Sequence, residues 1–476
     1  MKNYLKRFQN TQNKERGITL VALVITIVIL IILATISINV IFGDNGLIQK
    51  AEEAKEMTAN STIAEQEELD KLLDKIDETT NEAQVNAPKL GENMKLVKYD
   101  EKTQEWVEDT TKSEYSYIAK TGSGDNNLSK WANAEVEIEG VKSYFVWIPR
   151  YAYKITYYTD ERKTTVSEEK TQYGSIDVKF IKGNGNEAID GTICKYVSEN
   201  PNITEDYVIH PAFTNDVENG GWDSELTGIW VGKYESSSVE GNTNTNEDDV
   251  TTKKVKIQPG QECWRYITVG NAYTVAYNYA RELESHMLKN SEWGAVAYLT
   301  YSQYGRNGVE ITKNNNSKFI TGEAGDTVAS EESIVTNAYN TEKGVLASST
   351  GNVYGIYDLS GGSCEYIASY YSEGDELRVE QGAPFTNDKI SNKYATAYKG
   401  IDISNDYIIG DALYEIDGWD EIDITMINDM YPFFIRGGRG YGTEKKVGIF
   451  ACDMANGYAQ YSYTFRVALV VQRVLL

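Results

Sequence analysis

Histidine is nearly absent from this 476-residue chain: His210 and His286 are the two it has. A zinc or iron centre built on imidazole is therefore not expected, since such sites draw on several histidines or on clustered thiols. Cysteine is also scarce. Cys194, Cys263, Cys364 and Cys452 lie far apart with no CxxC spacing, which favours free or buried thiols, and spacing alone cannot assign any pairing. Proline occurs only 7 times, whereas tyrosine occurs 35 times. Positive charge is in deficit, with 46 Lys and Arg against 71 Asp and Glu for a net charge of −25. Such a surface repels phosphate backbones, whose binding depends on neutralisation by Lys and Arg. Nucleic acid is thus set aside as a partner.

One stretch lacks charge altogether: "GITLVALVITIVILIILATISINVIFG", Gly17 to Gly43. It exceeds the roughly 20 apolar residues that cross a bilayer as a helix. Lys2, Lys6, Arg7, Lys14 and Arg16 precede it and Asp44 follows, so the positive-inside bias predicts a cytoplasmic amino terminus and an external remainder. The run is too long for the apolar core of a signal peptide, and no A-x-A site follows it closely. After "GDNG", apolar residues Leu47, Ala51, Ala54, Leu69, Leu72, Leu73 and Ile76 recur at helical spacing, predicting an amphipathic stalk. "TTNEAQVNAPKLGEN" then breaks the pattern as a linker.

"KERGITLVALVITIVILIILATI" resembles the amino terminus of type IV prepilins and pseudopilins, with its short basic leader and Ile18-Thr19-Leu20 after Gly17. The resemblance covers roughly the first 55 residues. It implies cleavage between Gly17 and Ile18 by a prepilin peptidase and contact with other pilin subunits. The family places Glu at the fifth mature position; here that position is Ala22, which implies a minor tip subunit or a merely anchored protein.

From about Lys95 the texture changes to aromatic and β-branched runs such as "SYFVWIPRYAYKITYY", "GIWVGKYESS" and "YTFRVALVVQRVLL", separated by Gly, Asn and Asp. These are strand signals. The stretch from Asn271 to Gly305 reads as a helical pair broken near Asn290. The expected class is α+β: leader 1–17, transmembrane helix 18–43, stalk 44–78, linker 79–94, small β-rich segment 95–140, head 141–476.

"GIYDLSGGSCEYIASYY", "FFIRGGRGYG" and "YTFRVAL", with "IWVGKYESS" and "KNSEWGAVAYL" in order before them, are similar to motifs of the formylglycine-generating-enzyme and sulfatase-modifying-factor family. That resemblance implies an irregular C-type-lectin-like fold. The generating enzyme holds copper with a cysteine pair in its last segment, whereas Cys452 stands alone there, so an oxidase is not expected. Cys364 occupies the place of a tryptophan and reads as core filler. Members often bind calcium near the S-G-N-x-W-E turn. Glu365 is a weak candidate for that role, and Gly362 replaces the Asn.

Between R-G-G and F-R-V-A-L lies a segment with neither helical nor strand periodicity. In the implied fold it crosses the binding face. Arg439, Tyr441, Cys452, Asp453, Asn456, Tyr458, Tyr461 and Tyr463 form the candidate contact set, tyrosine offering large area at low entropic cost. The same layout resembles the variable region of retroelement-diversified proteins. The expectation is a non-catalytic, pilin-like protein of the bacterial cell membrane, displaying a head for an extracellular glycan, protein or phage ligand. The alternative is a structural minor pilin or pseudopilin.

Overall fold

The computed structural model describes residues 85–472, apart from 121–128, 243–249, 326–335, 374–375, 387–391, 420–421, 423 and 441–445. Early strands are β1 (Met94–Asp100), β2 (Glu105–Glu108), β3 (Asn133–Ile138), β4 (Val141–Pro149), β5 (Tyr151–Tyr157), β6 (Gly174–Phe180), β7 (Val208–Ile209) and β8 (Gly228–Gly232). Short pieces follow: β9 (Ser237–Ser238), β10 (Val255–Lys256), β11 (His286–Met287), β12 (Glu323–Ala324) and β13 (Asn337–Ala338). The last group is β14 (Cys364–Tyr371), β15 (Thr396–Tyr398), β16 (Phe433–Arg436), β17 (Cys452–Ala455), β18 (Tyr463–Phe465) and β19 (Val467–Leu469). Helices α1 (Val269–Asn278), α2 (Asn290–Tyr301) and α3 (Glu376–Thr386) complete the described elements.

The largest sheet runs in the order β11–β19–β8–β4–β3–β1–β2, so the carboxy-terminal strand pairs with β8, from the middle of the chain. A second sheet, β15–β14–β16–β17 with β18 on the other side of β14, carries the candidate site. Within it β14 is antiparallel to β16 and parallel to β18. A three-stranded sheet, β6–β5–β7, and the pairs β9–β10 and β12–β13 account for the rest.

Tryptophan marks the core. Trp131, Trp147, Trp222, Trp230, Trp264, Trp293 and Trp419 are fully buried, and Trp147 meets Trp230 across β4 and β8 with ring centroids 5.2 Å apart. Helix α2 is buried on every side, which is why its sequence shows no amphipathic stripe. Its Glu292 accepts from the backbone N of Lys289 at 2.9 Å, closing the first turn. Burial alone would raise the Glu292 pKa, but His286 and Lys289 beside it hold it down to about 2. The helical pair expected between Asn271 and Gly305 is present as α1 and α2, separated by a 3-10 turn and β11 rather than by a single break.

Two expectations are corrected. The described residues are mostly β-sheet with three α-helices, not the α+β arrangement with a transmembrane helix and helical stalk. Placement as a single-pass protein of the bacterial cell membrane is corrected with it. Among the described residues no helix is long and apolar enough to cross a membrane. The longest, α2, has 12 residues, about 18 Å at 1.5 Å per residue, against a hydrocarbon core of about 30 Å. The apolar run 17–43, the stalk 44–78 and the cleavage pair Gly17 and Ile18 lie outside the described residues.

Candidate functional site

Three sequence motifs that are distant along the chain converge on one buried polar frame. Arg466, from F-R-V-A-L, donates through Nε to Glu365 Oε2 at 2.9 Å and through a second nitrogen to Glu365 Oε1. It also donates to the carbonyls of Gly232 at 2.8 Å and Tyr357 at 3.0 Å. Asp358 accepts from Asn314 Nδ2 at 2.8 Å and from the backbone N of Gly322. Glu235 Oε1 accepts from the backbone N of Ser363 at 2.8 Å. Burial, with Asp358 and Glu365 close by, pushes the Glu235 pKa well up. Gly362 has φ +72°, and a Cβ there would lie 2.6 Å from Glu235 Oε1. The glycine in place of Asn thus makes room for a buried carboxyl.

Lys233, in the same motif as Glu235, is fully buried. It donates to Asn133 Oδ1 at 2.8 Å and to the carbonyls of Val353 and Gly355 at 2.6 and 2.8 Å. Burial pushes its pKa down, yet three acceptors match the three N–H groups of an ammonium. The Trp106 ring, 4.6 Å from Nζ, adds a cation–π contact.

Arg436, the arginine of R-G-G, is the counterpart at the end of β16. It donates to the carbonyls of Asp411 at 2.6 Å, Ala412 at 3.1 Å and Phe450 at 3.4 Å. Gly438 then turns the chain outward with φ +69°, where a Cβ would lie 1.9 Å from the Lys446 carbonyl. Gly438, Arg439 and Lys446 belong to one wall of a cleft.

That cleft has a volume of about 450 Å³. Cys364 and Ile435 contribute to its lining, with Arg439, Lys446 and Asp453 from the R-G-G turn and β17, and Gln460 to Tyr463 from the segment entering β18. Thr425, which donates its backbone N to the Cys452 carbonyl at 3.0 Å, completes the edge. Lys446 Nζ stands 3.2 Å from Asp453 Oδ2. Arg439 Nη1 donates to the Tyr461 hydroxyl at 2.9 Å, tying the two walls together. Tyr463 packs edge-on against Tyr366 with centroids 5.2 Å apart, and burial pushes its hydroxyl up to about 12.

Five of the eight residues picked from sequence line this cleft: Arg439, Cys452, Asp453, Tyr461 and Tyr463. Among them Cys452 is buried. Strand register sets it opposite Arg436, and Ile435 opposite Asp453; alternation therefore puts the Cys452 side chain on the Arg436 face, away from Asp453. Burial pushes its thiol up to about 12. Asn456 and Tyr458 lie beyond the cleft: Asn456 Oδ1 accepts from the backbone N of Tyr458 at 3.2 Å, and the Tyr458 carbonyl accepts from the Tyr366 hydroxyl. Tyr441 lies outside the described residues.

Cys364, expected as core filler, is buried in the hydrophobic core and also borders the cleft. It pairs with Tyr463 and stands two residues before Tyr366, which pairs with Ile435, so its side chain is on the Ile435 and Asp453 face. Lys446 was missed. Two lysines, Lys445 and Lys446, precede G-I-F in the sequence, and nothing local marks which of them meets Asp453. Thr425 carried no local signal.

No family model matches the chain, and no curated protein matches it. Among solved structures the chain is weakly similar to Treponema denticola variable protein 1. The match covers 71% of this chain and 98% of that one, at 8% identity and a TM-score of 0.30. Likeness at that level carries no argument about fold or activity.

Among the described lining residues Asp453 is the one carboxylate. The Cys364 thiol is pushed up to about 12 by burial, with Arg439 opposing and Asp453 adding to the shift, so it is no thiolate nucleophile near neutral pH. Glu365, the calcium candidate, has both oxygens bonded by Arg466. Among the described residues no group of three or more His, Cys, Asp or Glu is placed to hold a metal ion.

Proposed function

We propose that residues 85–472 form a non-catalytic ligand-binding head whose recognition site is the cleft walled by Arg439, Lys446, Asp453, Tyr461 and Tyr463. The observation that carries this reading is a division of labour in one short segment. Its framework side chains, Arg436, Cys452 and Arg466, are buried, at 0%, 2% and 0% exposure, while Tyr461 on the rim is 41% exposed. Exposed polar and aromatic side chains on a rigid buried base are what a binding site requires. The layout also suits diversification, because rim positions can change without touching the base. Tyr461→Ala tests the reading: across a panel of immobilised glycans and proteins, any ligand of this head should lose at least tenfold in affinity with the melting temperature unchanged. A ligand that binds equally well to Tyr461→Ala and Arg439→Ala would overturn it.

A further inference from the structure

We infer that the ligand of this head is a protein, and that it seats on a ridge of three tyrosines, Tyr266, Tyr458 and Tyr461, beside the cleft. The inference rests on the reading just given and names its partner class. Exposure is the first ground. The chain has 35 tyrosines, yet among the described residues only Tyr266, Tyr431, Tyr458 and Tyr461 are exposed, at 40%, 38%, 40% and 41%. Three of these four come together although Tyr266 is distant in sequence, because its backbone N donates to the Gln460 carbonyl at 3.0 Å. Large exposed aromatic side chains gathered at one place mark an interaction surface, whereas scattered ones do not.

Rigidity is the second ground. Segment 456–462 leaves β17 and enters β18, so it crosses over β16 and β14. Gly457 lets it lie close against that sheet at φ +88°, where a Cβ would sit 2.7 Å from the Phe433 ring. Four of its carbonyls are held. Gly457 accepts from the backbone N of Val269 at 3.0 Å, Tyr458 from the Tyr366 hydroxyl at 2.7 Å, Gln460 from Tyr266, and Tyr461 from Arg265 Nη1 at 2.7 Å. A fixed backbone under exposed rings lowers the ordering entropy that binding must overcome. Composition is the third ground. The two segments that meet, "RYITV" from Arg265 and "ANGYAQYSYTF" from Ala455, contain one charged residue, Arg265, which is ion-paired with Glu262, in a chain that is 25% charged. Tyrosine-rich, charge-poor surface is the composition of a protein–protein interface core. A saccharide asks for several directional side-chain groups, and the ridge offers few: Asn456 Oδ1 already accepts from the Tyr458 backbone N. A charged partner surface would lose water here and gain no countercharge from these two segments, so the surface that fits is an uncharged one.

The test is an array of purified extracellular proteins, each in native and in enzymatically deglycosylated form, beside free glycans, probed with the full-length chain. At least one protein should bind, and deglycosylation should leave its affinity unchanged. Tyr266→Ala and Tyr458→Ala should each weaken that binding tenfold or more with the melting temperature unchanged, and raised salt should leave it largely intact. Binding of glycans alone, loss on deglycosylation, steep weakening by salt, full affinity in both ridge variants, or binding of no protein would each overturn the inference. These failures separate from failure of the binding-head reading. If Tyr461→Ala and Arg439→Ala lose a ligand that both ridge variants keep, the cleft remains the site and the ridge alone is wrong.

Discussion

Arg436 and Arg439 stand three residues apart on one turn and live by different physics. Arg436 is fully buried and donates to the carbonyls of Asp411, Ala412 and Phe450. Its charge is desolvated, so each hydrogen bond must be present and the position is fixed by the fold. Arg439 faces solvent and bonds the Tyr461 hydroxyl. Its charge stays hydrated, and the fold tolerates its replacement. The same contrast runs through the whole segment: the Glu365–Arg466 frame underneath and the Arg439 to Tyr463 rim above. Residue type alone does not distinguish structural from recognition arginines. Desolvation does.

The comparison can be broken most forcefully at the frame. Glu365→Gln leaves the Arg466 guanidinium buried without its countercharge, and the expected loss is about 3–5 kcal/mol in chemical denaturation. A loss no larger than that of a surface change would remove the frame from the account. Next in size is Asp411, whose carbonyl receives Arg436. Burial, reinforced by Glu415 and opposed by Arg436, raises its carboxyl from 3.8 to about 7. An unfolded Asp titrates near about 3.9. The folded state therefore binds the proton more tightly, and this contribution is whole below pH ~4 and is lost as pH rises through about 7. Its full extent is on the order of 4 kcal/mol. Asp411→Asn should flatten stability against pH over that window, and an unchanged slope would contradict the assignment.

Gly362→Ala should have a smaller effect. The residue would take φ +72° with its Cβ 2.6 Å from Glu235 Oε1, costing about 1–3 kcal/mol in strain and displacement. A melting temperature equal to that of the unaltered chain would show that the loop yields freely. The smallest effect belongs to the rim. Lys446→Ala breaks the pair with Asp453, both side chains being well exposed at 53% and 39%, and should change stability by less than about 1 kcal/mol. A frame-sized loss there would erase the distinction between rim and base.

Legibility in the sequence followed the same division. The strand runs "SYFVWIPRYAYKITYY" and "YTFRVAL" became β4, β5, β18 and β19, because local β propensity and burial agreed there. Cleft residues within the last segment were legible as a departure from periodicity. Their facing was not. The strand β17 spans only Cys452 to Ala455, too short for alternation to be read, and it was register with β16 that separated Cys452 from Asp453. Cys364 and Thr425 reach the cleft from earlier segments through pairing that no local pattern encodes. The membrane-spanning helix rested on residues 1–84, which lie outside the described residues, whereas the α+β class rested on the strand runs together with the helical pair at 271–305, and the described residues are mainly β instead.

The most direct test of the rim-and-base division is the natural variation of the DNA encoding Arg436 to Phe465, sequenced deeply across a population of the source cells. Substitutions should gather at codons for Arg439, Asp453, Tyr461 and Tyr463 while Arg436 and Cys452 stay constant. Substitutions spread evenly over rim and base, or a segment uniform throughout, would contradict it.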